Sequence, residues 1–259
     1  MGVEDYLPIL WYFSPSGTQT VNTVATDKFL YVGHKGRVFR LDRQKGDVQA
    51  EQGLKGYGFG DVSVAISEDR SLLLIATGGY LVSLHPMSLE IGWYKERVSN
   101  KGGPEPTSIV CGSDVVYAAD SGWVYQLSAI DGAVLKKQNF GESAGRTQVN
   151  LALDKPSNRL YAGCNGYGIC MDANTLETSY LTSLPGSGFN VTSVLAIGHS
   201  AVFGCKGRVF QLDTNGKVAA RNDLSGYGNA DTSLTFCGPD RLWACPDGYV
   251  AAMLMLVVP

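Results

Sequence analysis

Six polar residues recur at one place in a repeating pattern, each just after a glycine-rich stretch and just before a short apolar run: Asn22, Asp61, Glu105, Gln148, Asn190 and Asp231. The stretches include Lys55-Gly-Tyr-Gly-Phe-Gly-Asp61, Gly141-Glu-Ser-Ala-Gly-Arg-Thr-Gln148, Pro185-Gly-Ser-Gly-Phe-Asn190 and Ser225-Gly-Tyr-Gly-Asn-Ala-Asp231. If all six converge on one concave mouth, Asp61, Glu105 and Asp231 crowd three carboxylates together. Like charges then raise one carboxyl pKa, while Arg146 nearby holds another group ionised. A carboxyl that keeps its proton beside one that has lost it can do general acid–base work. Asp61, Glu105, Arg146 and Asp231 are therefore the candidate catalytic residues. The competing reading is that they are solvated side chains capping loop amides.

A second set could shape a ligand pocket. Aromatic and basic residues stand at Arg37, Tyr80, Trp123, Tyr167, Arg208 and Tyr249, and Tyr57, Phe59, Phe189 and Tyr227 lie in the glycine-rich loops. Flat rings with polar tips suit sugars and conjugated small molecules. Asn22, Tyr57, Phe59, Trp123, Gln148, Tyr167, Asn190 and Tyr227 are the candidate ligand-binding residues; the alternative for the aromatics is packing between repeated units. His34, Asp120, Cys164 and Cys205 each fall two residues before a glycine anchor, but separate units would hold them too far apart for one metal ion. No metal site is expected. Three histidines without a Gly-x-Ser-x-Gly elbow give no hydrolase triad. Gly56-Tyr-Gly-Phe-Gly60 lacks the Lys-Ser/Thr of a phosphate loop.

The elements that must carry these residues form one repeat. Gly36, Gly79, Gly122, Gly166, Gly207 and Gly248 each open an apolar run such as Gly36-Arg-Val-Phe-Arg-Leu-Asp42, at successive gaps of 43, 43, 44, 41 and 41 residues. The unit around Gly79 contains four runs of strand length, Val62–Ile66, Leu72–Thr77, Tyr80–Leu84 and Ile91–Arg97. Lys45-Gly46, Asp131-Gly132 and Asn215-Gly216 supply turns between third and fourth strands. A period in the low forties built of short strands is the pattern of a propeller blade, which needs its neighbours to cover both faces. The expected fold is all-β: a six-bladed β-propeller of four-stranded antiparallel blades, in one domain spanning residues 1–259. The last unit lacks a fourth strand, and Ile9-Leu-Trp-Tyr-Phe13 matches the fourth-strand pattern of Ile91-Gly-Trp-Tyr94. The N-terminal strand is therefore expected to complete the last blade and remove an open edge.

Leu160-Tyr-Ala-Gly163, Leu30-Tyr-Val-Gly33, Leu41-Asp42, Leu212-Asp213 and Trp93 give the chain, over its whole length, a pattern that resembles the quinoprotein-like (PQQ-like) repeat superfamily. That superfamily contains both dehydrogenases and structural propellers, so the resemblance implies a fold. Its quinone-dependent enzymes have about eight blades and longer chains. No quinone, and no other cofactor, is expected here.

Net charge is −3, with 21 basic and 24 acidic residues spread through the chain, which excludes a basic footprint for nucleic acid or an anionic membrane. The N-terminus lacks the basic cap and apolar core of a signal peptide, and the six cysteines lack the spacing of a metal knuckle or secreted scaffold. A cytoplasmic monomer with reduced thiols is expected. The framework repeats while the mouth residues diverge, which points to one asymmetric pocket for a small molecule or carbohydrate. Such a pocket suits a cofactor-independent cyclase, isomerase or lyase. A carbohydrate-binding lectin or a protein-interaction scaffold stands as the alternative.

Overall fold

Strands form wherever apolar and β-branched residues run for four to six positions between glycine turns. The computed structural model describes residues 12–15, 21–57, 62–96, 108–140, 148–186, 191–224, 231–236, 241–246 and 251–254. Blade 1 contains β1 (Asn22–Ala25), β2 (Phe29–His34), β3 (Arg37–Asp42) and β4 (Val48–Gly53). Blade 2 contains β5 (Ser63–Ile66), β6 (Leu73–Thr77), β7 (Tyr80–Leu84) and β8 (Ile91–Glu96). Blade 3 contains β9 (Ser108–Cys111), β10 (Val115–Asp120), β11 (Trp123–Ser128) and β12 (Val134–Asn139). Blade 4 contains β13 (Val149–Asp154), β14 (Arg159–Cys164), β15 (Tyr167–Asp172) and β16 (Thr178–Ser183). Blade 5 contains β17 (Ser193–Ile197), β18 (Ser200–Cys205), β19 (Arg208–Leu212) and β20 (Val218–Asp223). Blade 6 contains β21 (Thr232–Phe236), β22 (Arg241–Pro246) and β23 (Ala251–Leu254).

Each sheet is an antiparallel meander in chain order, four-stranded in blades 1 to 5 and three-stranded in blade 6 among the described residues. The expected six-bladed all-β architecture is thus present. Of the segment expected to supply the missing strand, residues 9–11 lie outside the described residues. Phe13 packs on Phe39 of β3, with ring centroids 5.1 Å apart, beside buried Val32 and Leu41.

The anchor glycines are explained by their dihedrals. Lys35-Gly36, Gly78-Gly79, Ser121-Gly122, Asn165-Gly166 and Lys206-Gly207 all have positive φ at both positions, the signature of a type I′ hairpin turn. Gly248 lies outside the described residues. The turns between third and fourth strands fall into two kinds. Gly46, Gly132 and Gly216 supply positive φ in blades 1, 3 and 5. In blades 2 and 4 the positive φ falls on Leu89 and Leu176, both buried. A leucine in this region is uncommon, and here its side chain fills the core.

Over the described blades 1 to 5 this alternation groups the blades in pairs. From an even blade to the next odd one, an aromatic ring of the outer strand covers the turn glycine. Trp93 of β8 lies over Gly132 and donates from Nε1 to the Ala129 carbonyl at 3.0 Å. Tyr180 of β16 lies over Gly216, whose carbonyl accepts from Thr182 Oγ1 at 2.7 Å. From odd blade 3 to even blade 4, Tyr117 and Gln126 instead both donate to the Ala173 carbonyl, at 2.8 and 3.1 Å.

Second strands press directly on the inner strand of the next blade. A Cβ on Gly33 would meet Val64 Cγ2 at 2.5 Å and Val62 Cγ1 at 2.7 Å; one on Gly204 would meet the Thr232 carbonyl oxygen at 2.7 Å. Gly163 stands against the Thr192 carbonyl in the same way. The glycine ending Leu-Tyr-Val-Gly33 and Leu-Tyr-Ala-Gly163 is required by this approach.

Candidate functional site

The mouth face carries the turns between second and third strands together with the connections from each outer strand to the next inner strand. Those connections are tied to the turns by backbone bonds: the amides of Leu54, Phe140, Leu184 and Leu224 donate to the carbonyls of Gly36, Gly122, Gly166 and Gly207. Around the mouth, polar side chains knit inner strands of neighbouring blades. Thr192 and Thr232, both buried, accept from the Gly166 and Gly207 amides at 2.9 Å through Oγ1. Asn150 Nδ2 donates to the Thr192 carbonyl at 3.0 Å, Ser193 Oγ donates to the Thr232 carbonyl, and the Leu151 amide donates to Ser108 Oγ at 3.1 Å. Residues one to three positions beyond the expected polar ring therefore hold architecture.

Of the candidate catalytic residues, Asp231 is exposed immediately ahead of β21. Asp61, Glu105 and Arg146 lie outside the described residues, as do Phe59, Asn190 and Tyr227 of the candidate ligand set. Asn22 heads β1, half-buried, opposite Gly33. Gln148 is half-buried and donates to Asn150 Oδ1 at 3.3 Å. Tyr57 forms an edge-on aromatic group with Tyr80 and Tyr94 of blade 2, at centroid distances of 5.6 and 5.2 Å. Trp123 stacks on Tyr125 at 6.2 Å, with the Lys137 ammonium 5.5 Å from its ring. Tyr167 packs against the cluster of Val149, Leu160 and Ile169. Tyr57, Trp123 and Tyr167 thus all make packing contacts within or between blades. Among the described residues no group of three or more His, Cys, Asp or Glu side chains is placed to hold a metal ion.

The opposite face is clipped by charge. Arg70 Nη1 of blade 2 meets Asp27 Oδ2 of blade 1 at 2.8 Å, and Lys155 Nζ of blade 4 meets Glu68 Oε2 of blade 2 at 2.6 Å. The hydrogen bond and charge of Arg70 hold the Asp27 carboxyl below the usual carboxylate range. Hydrogen bonds from Ser67 and Ser71 bring Asp69 down to about 2. A depressed folded-state pKa gives stability that is present above the unfolded value of about 3.9 and is lost as pH falls through the folded value. Arg70→Ala is expected to return Asp27 to the ordinary carboxylate range in an NMR titration while leaving Asp69 low. Thiols removed from water behave oppositely: desolvation pushes half-buried Cys111 and buried Cys170 up to about 11, so neither is a nucleophile near neutral pH.

The rim of blades 2 and 3 carries a feature the sequence reading missed. Ile130, at the tip of the turn between β11 and β12, is 88% exposed; Val134 and Leu135 soon after it in the chain are exposed too, as are Met87 and Ile91 at the corresponding turn of blade 2. Lys136 and Lys137 continue the exposed outer strand β12. The available signal was an isoleucine standing directly before the Asp131-Gly132 turn, where polar residues are the rule.

This geometry defines a β-propeller, and solved structures agree. The chain is similar to BamB from Moraxella catarrhalis at 17% identity and TM-score 0.55, covering 92% of this chain and 85% of that one. It is similar to Sqt1 from Saccharomyces cerevisiae at 14% identity and TM-score 0.69, covering 88% of this chain and 69% of that one. No family description and no curated protein matches the sequence.

Proposed function

We propose that the chain is a protein-interaction scaffold: one propeller domain spanning residues 1–259, a short member of the PQQ-like repeat superfamily, working in the cytoplasm. The observation that carries the reading is the exposure of Met87 and Ile91 on blade 2 and of Ile130, Val134 and Leu135 on blade 3, at and just after the same third-to-fourth-strand turn of adjacent blades. Single exposed apolar residues are ordinary, but a group of them beside an outer edge strand suits a protein partner. Edge backbone supplies hydrogen bonds, the apolar side chains supply buried area, and Lys136 and Lys137 favour an acidic neighbour. The acid–base enzyme expected from the divergent mouth has less support, because the described mouth residues Asn150, Ser193 and Thr232 tie inner strands together.

The test is proximity labelling in cells with the wild type, an Ile130→Asp/Leu135→Asp variant and an Asp231→Asn variant. The rim variant is expected to lose at least one protein that the other two label, with its melting temperature unchanged. Identical partner sets for all three would refute the scaffold reading.

A further inference from the structure

Blades 1 and 5 share the motif Lys-Gly-Arg-Val-Phe, at Lys35–Phe39 and Lys206–Phe210, yet resolve its arginine differently. In blade 5, Arg208 Nη1 donates to the Gly186 carbonyl at 2.8 Å, and its Nε lies 3.4 Å from Asp223 Oδ1 on the paired strand. The carbonyl of the loop from blade 4 and the carboxylate of the paired strand, which Arg221 also holds at 2.6 and 2.7 Å, together surround this arginine. In blade 1 the residue paired with Arg37 is Gly53, and a Cβ built there would meet nothing within 4 Å. Arg37 turns instead to Glu51, with Nη1 3.1 Å from Oε1. A cavity of about 480 Å³ opens here, lined by Pro15, Lys35, Arg37, Phe39, Glu51, Gly53, Leu54 and Lys55, with His34 at its edge.

Its chemistry is specific. Lys35, Arg37 and Lys55 bring three cationic groups against the one carboxylate of Glu51. Phe39 and Leu54, both buried, and Pro15 give it an apolar wall. The volume is that of a small-molecule site, and a guanidinium beside an ammonium is the usual recognition set for a carboxylate.

We propose that this cavity binds a small organic acid, its carboxylate taking beside Arg37 the place that Asp223 takes beside Arg208, and its apolar body lying against Phe39 and Leu54. The site is independent of the rim on blades 2 and 3. Gly53 is its specificity determinant, because an acidic side chain there would fill the open space beside Arg37 and add a second carboxylate to that of Glu51.

The test uses the full chain and N-acetylphenylalanine, with its uncharged amide as the paired probe, in calorimetric titrations. The acid is expected to bind at least tenfold more tightly than the amide. Gly53→Asp, which rebuilds the blade 5 arrangement in open space, is expected to weaken the acid at least tenfold with an unchanged melting temperature. Lys55→Ala gives a second reading if that variant folds poorly and is expected to weaken the acid severalfold, whereas Lys217→Ala on the blade 5 turn leaves it unchanged. Equal binding of acid and amide, wild-type affinity in both cavity variants, or no binding of the acid at millimolar concentration would each overturn the proposal.

Discussion

Gly163→Val is expected to lower the melting temperature by roughly 6–12 °C, the largest effect of any single substitution considered. A side chain at this position projects into the carbonyl of Thr192, immediately ahead of the next inner strand β17. That carbonyl is fixed twice over, because it accepts from Asn150 and its own residue caps the Gly166 amide through Oγ1. The obstacle is backbone, so relief requires blades 4 and 5 to separate. Overpacking of this kind costs about 3 kcal/mol, and for a chain of this size each kcal/mol shifts the midpoint by roughly 2–4 °C. Gly53→Ala is the internal control, since nothing lies within 4 Å of its Cβ, and its midpoint is expected to move by less than about 1 °C, as for ordinary surface changes. A calorimetric scan checks both. Equal midpoints for the Gly163 and Gly53 variants would mean that the blades do not meet as closely as the second-strand glycines require.

Removal of residues 1–15 is expected to convert the protein to soluble aggregates. Phe13 covers Phe39, beside Val32 and Leu41 on the flank of blade 1. Without the segment, that flank becomes an exposed apolar face, and the strand expected from the sequence to complete blade 6 is removed with it. Size-exclusion chromatography with light scattering reads the outcome directly. A truncated chain that stays monomeric with the parent's melting temperature would show that the segment does not close the ring. Trp11 stands in the sequence where Trp93 stands in blade 2, and Trp11→Ala is expected to reproduce part of the loss.

The fold was legible because each blade repeats the same demands. Two successive residues of positive φ between second and third strands select glycine at the second place, and the apolar runs on either side fix the hairpins. The paired-blade unit was harder to read. Its alternation rests on what covers a turn, Trp93 and Tyr180 over glycines in one kind of junction and buried Leu89 and Leu176 in the other. A leucine at positive φ gives no turn signal in a sequence. The polar mouth was read one to three positions away from the residues that knit it. Gln148 and Asn150 lie two positions apart and so fall on the same side of the strand; which of them reaches the next blade is set by how far the inner strand extends into the mouth, and it is Asn150 that bonds the Thr192 carbonyl while Gln148 bonds Asn150. The rim was missed for a different reason: exposure is a property of the assembled edge, and Leu135 reads from sequence as an ordinary strand residue. The carboxylate cavity depended on comparing Gly53 with Asp223 across two blades.

The most direct measurement of the scaffold account is hydrogen–deuterium exchange on the protein bound to a partner recovered through the rim. The account predicts slowed exchange over residues 130–137, where β12 offers its edge, with the mouth turns at 35–36 and 206–207 unchanged. Protection confined to those mouth turns, with residues 130–137 exchanging as in the free protein, would contradict it.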